Sequence, residues 1–314
     1  MENIQGKIKA ICISEKRGTV KRPVEKIEVV KDFGLKDDAH GGSWHRQVSL
    51  LSYDKVVAFN AKGGNAEAGD FGENILVEGI DFRSLPVGSL ITCGEVVLKL
   101  TQIGKECHTH CEIFKRVGDC IMPREGVFTK VINGGWLQVG ETMEVQLPKM
   151  DAPLTAAVMT LSDKGSKGER VDTSGPRAAE MLQAAGYEIV EMVLLPDEQR
   201  QIERELKRLA DQRQVDLIIT TGGTGMSVRD CTPEATLAVA TRNVPGIAEA
   251  IRAGSMQITK RAMLGRGASV LRNNTLIVNL PGSKKAVEES LELVLPELEH
   301  GLKILKGSAS ECGR

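Results

Sequence analysis

The sequence predicts two domains, the first mainly β and the second a three-layer α/β domain with a mostly parallel sheet. Its 314 residues are about twice the usual domain length of roughly 150 residues. Residues 1–147 form short β-type runs separated by glycine, and strand-like runs alternate with helix-like runs later in the chain. The stretch PKMDAP, residues 148–153, has two prolines and no apolar period. We therefore expect one domain over residues 1–148 and another over residues 153–310.

The composition argues against several classes of partner. With 41 basic and 42 acidic residues the net charge is -1, which indicates no surface for nucleic acid or an anionic membrane. The chain begins without an apolar signal segment, and no apolar run reaches the roughly 18 residues of a membrane helix. We expect a cytoplasmic protein that binds neither nucleic acid nor membrane. In that compartment its seven cysteines are unsuited to a disulfide framework.

The first half is rich in short β-type runs. They are KIKAICIS, QVSLLS, NILVEG, SLITCG, VVLKLTQIG and ETMEVQL. Frequent turn glycines between them favour a compact β-barrel or sandwich. The stretch LSYDKVVAFNAKG is the most helix-like exception.

In the second half, strands and helices alternate. The strands are TAAVMTLSD, YEIVEMVLLPD, VDLIITTGGTG and TLIVNLPG, and helices such as SGPRAAEMLQAAG and EQRQIERELKRLADQ lie between them. Pro176 near the first turn and Gly186 at the end support the first of these helices. The alternation predicts a parallel sheet covered by helices on both faces.

Four loops of the second half each follow a predicted strand. They are LSDKGS, LPDEQ, TTGGTGMSVRDCTPEAT and NLPGSKKA, at residues 161–166, 195–199, 220–236 and 279–286. Ligands of such sheets bind beyond the carboxyl ends of the strands, so we expect the four loops to form one site.

The chemistry of these loops suits a phosphate ligand. The TGGTG turn lets the backbone approach an anion, although it matches neither a Walker A motif nor a dinucleotide fingerprint, and such turns are often plain connections. Ser283 is placed to cap a helix, and Lys284 and Lys285 follow on its first turn, either solvated or beside an anion.

Three aspartates stand in the same loops. Asp163, Asp197 and Asp230 would suit Mg²⁺, which commonly takes one or two carboxylates together with phosphate oxygens. Alternatively, Asp197 and Asp230 cap the helices that follow them.

These motifs closely resemble the MogA/MoaB-type molybdopterin-binding domain across residues 154–307. The resemblance implies an enzyme that joins AMP from MgATP to the terminal phosphate of molybdopterin, and an assembly of trimers or hexamers. It implies catalysis by Asp197 and Asp230. Beside the resemblance, the charges of Arg229, Lys284 and Lys285 would suit them to help hold phosphates. Molybdopterin and phosphate are expected to bind residues of two loops: Gly222, Gly223, Thr224, Gly225, Ser227, Pro281, Gly282 and Ser283.

The first half resembles a MOSC domain over residues 5–146. The resemblance rests on GLKDDAHGGSWHRQVSLLS and GDFGENILVEGIDFRSLPVGSLITCG, residues 34–52 and 69–94. It implies a β-barrel that handles sulfur or a metal cofactor through one cysteine, which by its place in the chain is Cys107. The sequence departs from the commoner Arg-x-Pro-like lead, because GKEC stands there instead.

The segment around Cys107 allows several interpretations. His108, His110 and Cys111 follow it and would tune one reactive thiol. The same residues, with Cys120 and His40 or His45, would alternatively hold structural zinc. A disulfide from Cys107 to Cys111 and a buried apolar role for Cys111 or Cys120 are further alternatives.

Two polar loops of the first half complete the candidates. Arg46 follows His45 and, with His40, suits an anionic pterin or phosphate, although ordinary loop packing explains each residue alone. In GDFGENI, Gly72 and Asn74 are typical of a turn.

The whole chain is therefore expected to act in molybdenum or tungsten cofactor biosynthesis, alongside other proteins of that synthesis. A pterin carrier without catalysis and a thiol-based metal-binding protein are the alternatives.

Overall fold

The computed structural model describes residues 4–106 and 112–307, and the chain forms two compact units that divide between Lys149 and Met150. Each unit has its own apolar core of buried side chains.

The first unit is mainly β, as predicted. Its strands are β1 Ile4–Ile13, β2 Arg22–Val24, β3 Lys26–Val30, β4 Gly34–Leu35, β5 Val48–Ser52, β6 Ile75–Glu78, β7 Leu90–Cys93, β8 Val96–Ile103, β9 Val127–Asn133, β10 Gly135–Gln138 and β11 Thr142–Gln146. Its helices are α1 Tyr53–Asn60, α2 Glu112–Val117 and α3 Met122–Glu125, with a 3₁₀ turn at Phe82–Ser84.

Seven of these strands close into a barrel. The order is β1, β11, β7, β8, β9, β5 and β6, and β6 pairs with β1 again. Along β8, Val96, Leu98 and Leu100 are fully buried while the residues between them are partly exposed. This alternation follows from the two-residue period of a strand, which sends every second side chain into the barrel.

A second, smaller sheet of β10, β3 and β4 was not predicted from the sequence. In β3, Glu28 separates Ile27 from Val29, so the apolar signal is weak. The pairing of Ile27 with Leu137 and burial of both side chains show that tertiary contacts decide this strand.

The second unit is a three-layer α/β domain, also as predicted. Its strands are β12 Thr155–Leu161, β13 Glu188–Leu195, β14 Leu217–Thr221, β15 Arg242–Asn243, β16 Ser269–Arg272 and β17 Thr275–Leu280. Its helices are α4 Asp163–Ser166, α5 Ser174–Ala184, α6 Gln199–Lys207, α7 Thr232–Ala238, α8 Pro245–Ile258 and α9 Lys284–Leu305, with a π turn at Arg208–Gln212 and a 3₁₀ turn at Lys260–Leu264.

The sheet order is β13, β12, β14, β17, β16 and β15, and the first four of these strands run parallel. Neighbouring residues of β12 enter opposite cores: Val158 packs with α5, α8 and α9, and Met159 packs with α6 and α7. Burial on both faces explains why this strand is a continuous apolar run.

The other edge of the sheet is antiparallel, which the sequence did not indicate. β16 turns back into β17 through Asn273 and Asn274, so that Arg272 pairs with Thr275. Asn273 has φ of 51°, which asparagine tolerates better than most residues.

Across residues 4–106 and 112–307, we find no helix with both the length and the apolar character needed to cross a membrane.

Candidate functional site

The four predicted loops begin at one edge of the six-stranded sheet of the second unit. β13, β12, β14 and β17 are neighbours, and their last residues lie side by side. Leu161 is opposite Leu195, Thr160 is opposite Thr221, and Thr221 is opposite Leu280. The polar residues that follow these strands are therefore brought together by the parallel topology.

The TGGTG turn, residues 221–225, is called the glycine turn below, and it fits closely between its neighbours. Gly222 has φ of 99°, and a Cβ atom there would lie 2.2 Å from the carbonyl oxygen of Leu161. Gly223 has φ of 61°, and its Cβ would lie 2.6 Å from Oδ1 of Asp197. Thr232 holds the turn by donating its hydroxyl to the Gly222 carbonyl at 2.9 Å. Only glycine satisfies both the backbone angles and the contacts.

Asp197 stands directly against this turn. Its Oδ2 accepts the backbone N–H of Asp163 at 3.1 Å, and its own N–H donates to Oδ1 of Asp163 at the same distance. Its Oδ1 is buried and has no hydrogen-bond partner among the described residues. Burial, followed by repulsion from Asp163 and Asp230, raises the pKa of Asp197. A raised pKa and an unpartnered oxygen are typical of a functional carboxylate.

Neither Asp197 nor Asp230 caps the helix that follows it. The N-cap of α6 is Glu198 and that of α7 is Cys231, and neither forms a side-chain cap hydrogen bond. Oδ2 of Asp230 instead accepts the backbone N–H of Ser227 at 2.9 Å. The helix-capping alternative therefore does not account for Asp197 or Asp230.

Two adjoining clefts contain most of the predicted residues. A cleft of about 560 Å³ is lined by residues of all four loops, including Asp197, Asp230, Gly222, Gly223, Gly282 and Ser283. A second cleft, of about 620 Å³, shares these three glycines and adds Thr224, Gly225 and Pro281. Ser227 and Asp163 lie outside the clefts. Ser227 bonds to Asp230, and Asp163 bonds to Asp197.

Arg229 joins two loops. Its guanidinium donates to Asp163 at 3.0 and 2.9 Å and to Glu198 at 2.8 Å. The hydrogen bond from Arg229 is the main reason why the pKa of Asp163 is lowered. In this structure Arg229 thus orders the acidic loops, rather than presenting the free phosphate contact that we expected.

Ser283 caps α9, as predicted. Its side chain accepts the backbone N–H of Ala286 at 3.2 Å. The two lysines that follow differ: Lys284 lines the 560 Å³ cleft, whereas Lys285 lies 3.6 Å from Glu289. Of the two, Lys284 is better placed to meet an anion.

The sequence reasoning missed two residues at this site. Asp172 lines the cleft and accepts the N–H groups of Ser174 and Gly175, both at 3.0 Å, at the start of α5. The pattern DTSGP could have shown this helix start. Arg266 bonds to both Gly225 and Asp230, and it belongs to no recognisable local motif.

In the first unit, Cys107, His108, His110 and Cys111 lie outside the described residues. Within the described part of the chain, no group of three His, Cys, Asp or Glu side chains is placed to hold a metal. Cys120 is buried in an apolar cluster with Ile113 and Phe128, and it is not in a disulfide.

The loop of residues 40–46 lies beside the strand that leads to Cys107. His45 is hydrogen-bonded through Nε2 to Oε1 of Gln102, near the end of β8, at 2.9 Å. The guanidinium carbon of Arg46 lies 4.7 Å from the ring centre of Trp44. Nδ1 of His40 lies 3.5 Å from the hydroxyl oxygen of Ser14.

A buried polar network supports that loop. Lys21 and Asp38 form an ion pair at 2.8 Å with both side chains almost completely buried. Asn74 donates to Asp38 at 3.0 Å, so it connects core groups and is not a simple turn residue. Glu73 accepts the N–H groups of Gly69 and Phe71, and burial raises its pKa to about 7. Gly72, with φ of 78°, fits the predicted turn.

Comparison with known families finds two matches in this chain. Residues 157–300 match the family described as "Probable molybdopterin binding domain". Residues 37–144 match the MOSC domain.

Similar proteins match the second unit. Molybdopterin adenylyltransferase of Haemophilus influenzae is 43% identical over 145 residues, which cover 46% of this chain and 74% of the relative. The protein of the same name from Helicobacter pylori strain J99 is 38% identical over 153 residues, covering 48% and 87%. The crystal structure of MoaB from Thermus thermophilus is 45% identical, with a TM-score of 0.47, and covers 49% of this chain and 97% of that one.

Proposed function

Because the chain belongs, through its second domain, to the molybdopterin adenylyltransferase family, we propose that this domain transfers AMP from MgATP to the terminal phosphate of molybdopterin. The observation that carries the proposal is that Asp197, Asp230 and the Gly222 turn line one cleft. It supports phosphoryl-transfer chemistry, in which a protein mainly positions reactants and balances charge.

In the proposed reaction, an oxygen of the molybdopterin phosphate attacks the α-phosphorus of ATP. The bond from that phosphorus to the bridging oxygen breaks, and pyrophosphate leaves with the electron pair. The glycine turn lets phosphate oxygens approach the backbone closely, because no Cβ atom covers it. Lys284 lies on the same cleft and would offset phosphate charge.

The residues fit an Mg²⁺ ion that enters with ATP. Asp197 offers a buried, unpartnered Oδ1, and Asp230 lines the same cleft. Two carboxylates with phosphate oxygens and waters are a common ligand set for Mg²⁺. Both oxygens of Asp163 accept hydrogen bonds from Arg229, so Asp163 is better suited to hold Asp197 in place than to bind the ion. When bound, Mg²⁺ would offset the negative charge of the phosphates.

The direct test is pyrophosphate release by the purified full chain with molybdopterin and MgATP. We expect pyrophosphate and adenylylated molybdopterin in equal amounts. A chain that binds molybdopterin but releases no pyrophosphate would instead be a pterin carrier, and the proposal would be wrong.

For the first domain we propose handling of sulfur, metal or cofactor, with Cys107 as the working thiol and molybdenum or tungsten as the metal. The match to the MOSC domain supports this proposal. The placement of His45 beside the strand that leads to Cys107 also supports it. His108, His110 and Cys111 would then tune the thiol, and Arg46 would face an anionic ligand.

Replacement of Cys107 with serine separates the two domains' roles. We expect the full chain with Cys107→Ser to lose sulfur or metal bound at this thiol while pyrophosphate release stays within about twofold of the original, because no reacting atom of the transfer is changed. Mass spectrometry and metal analysis would measure the first effect. If Cys107→Ser and Cys111→Ser each unfold the domain and release a bound metal, a structural metal site would be the correct interpretation.

We further propose that the chain is cytoplasmic, works with other proteins of cofactor biosynthesis, and forms a homo-trimer or hexamer. An apolar groove of about 520 Å³ between α8 and α9, lined by residues such as Ile247, Leu293 and Ile304, supports self-association. Sedimentation equilibrium would measure the mass, and a monomer at micromolar concentration would contradict the assembly.

A further inference from the structure

Arg266 connects three parts of the candidate site. Its backbone N–H donates to the carbonyl of Thr224 at 2.9 Å, and its Nε donates to the carbonyl of Gly225 at 2.7 Å. Its Nη2 donates to the carbonyl of Asp230 at 2.7 Å, and its Nη1 pairs with Glu234 on α7. The Arg266 side chain therefore connects the glycine turn at Gly225 with the loop that carries Asp230 and with α7.

The carbonyls of Gly225 and Asp230, which the Arg266 side chain holds, flank a close contact. A Cβ atom on Gly225 would lie 2.8 Å from Oδ2 of Asp230, so the Asp230 carboxylate rests directly on the glycine turn. That carboxylate is otherwise held only from within its own loop, by the N–H of Ser227 among the described residues. Arg266 therefore links the segment that carries Asp230 to the glycine turn from one side, and the hydroxyl of Thr232, bonded to the Gly222 carbonyl, links it from the other end.

We infer that Arg266 is a positioning residue for the transfer reaction: it holds Asp230 at the glycine turn without itself touching a reactant. The inference rests on the proposed function, in which Asp230 acts on the phosphates. Arginine suits this position because its planar guanidinium donates in several fixed directions at once, whereas lysine offers one point charge.

The test uses Arg266→Lys and Arg266→Gln in the full chain, with pyrophosphate release from molybdopterin and MgATP as the activity. A displacement of about 1 Å at a reacting centre costs up to about 100-fold in rate, so we expect kcat for Arg266→Gln to fall about 10- to 100-fold. Arg266→Lys should fall between this variant and the original. The affinity for molybdopterin, measured by fluorescence titration, should change less than about threefold, because the pterin contacts remain.

Arg272 supplies a matched control. It also bonds a carboxylate and a carbonyl, those of Asp211 at 2.9 Å and Val239 at 2.9 Å, but at the end of β16 away from the clefts. Arg272→Gln should lower the melting temperature at least as much as Arg266→Gln while leaving kcat within about twofold.

Two results would overturn the inference. In the first, Arg266→Gln keeps the original kcat. In the second, its kcat and its molybdopterin affinity fall together with the melting temperature, which would mean general loss of structure. If the original chain releases no pyrophosphate, the proposed function fails and this inference with it, whereas an active original and an equally active Arg266→Gln remove the inference alone.

Discussion

Replacement of Asp197 with asparagine is expected to reduce pyrophosphate release at least about 100-fold, because the carboxylate that would hold Mg²⁺ beside the phosphates is lost. Asp230→Ala is expected to have the same effect on turnover, with molybdopterin still bound. Turnover measured beside molybdopterin binding checks both variants, and unchanged turnover in either one would refute its assignment.

The same Asp197 variant is expected to be more stable at neutral pH. The pKa of Asp197 is raised in the folded protein, so the folded state binds its proton more tightly than the unfolded state. Stability from this group is therefore present at acid pH and is lost as the pH rises through the folded pKa. Asparagine avoids that loss, and because Asp197 is partly exposed we expect a gain of only about 1 to 3 °C in melting temperature at pH 7.

Thermal unfolding at pH 7 and at pH 4 tests the sign of this effect. The stability gain of Asp197→Asn should shrink at the lower pH, where more of Asp197 is protonated. Asp211→Asn is a suitable control, because Asp211 is paired with Arg272 away from the clefts. It should lower the melting temperature without changing turnover, which is the opposite pattern.

Replacement of Gly222 with alanine is the second change with a large expected effect. The Cβ would lie 2.2 Å from the Leu161 carbonyl oxygen, and this backbone atom cannot move without disturbing β12. Positive φ adds a further cost, so we expect a loss of about 3 kcal/mol or more and a melting temperature lower by about 6 to 12 °C. Turnover should also be lost, because the turn moves away from Asp197.

Gly186→Ala separates the effect of the close Cβ contact from the effect of a positive φ angle. Gly186 has φ of 92°, close to that of Gly222, but a Cβ there would meet nothing within 4 Å. We expect it to cost only about 1 kcal/mol and to leave turnover unchanged. If both glycine variants lose the same stability and keep turnover, close packing of the turn is not required for the site.

Much of the fold could be predicted because its signals are local. The alternating pattern of β8 and the two-sided burial of β12 appear directly as apolar periods. β3 and β10 were missed because both are short and Glu28 interrupts the apolar residues of β3, and pairing within the small sheet makes them strands. β16 was missed because it has only four residues, and its antiparallel direction is set by its pairing with β17.

The sequence by itself predicted the two-domain organisation and the candidate residues Asp197, Asp230 and Gly222, because the motifs and their spacing can be read along the chain. Only the tertiary structure decided which contacts these side chains make. It left Oδ1 of Asp197 buried and unpartnered, turned Arg229 toward Asp163, and brought Arg266 to the Asp230 carbonyl. Such contacts join residues dozens of positions apart, and their distances depend on packing that no local pattern records.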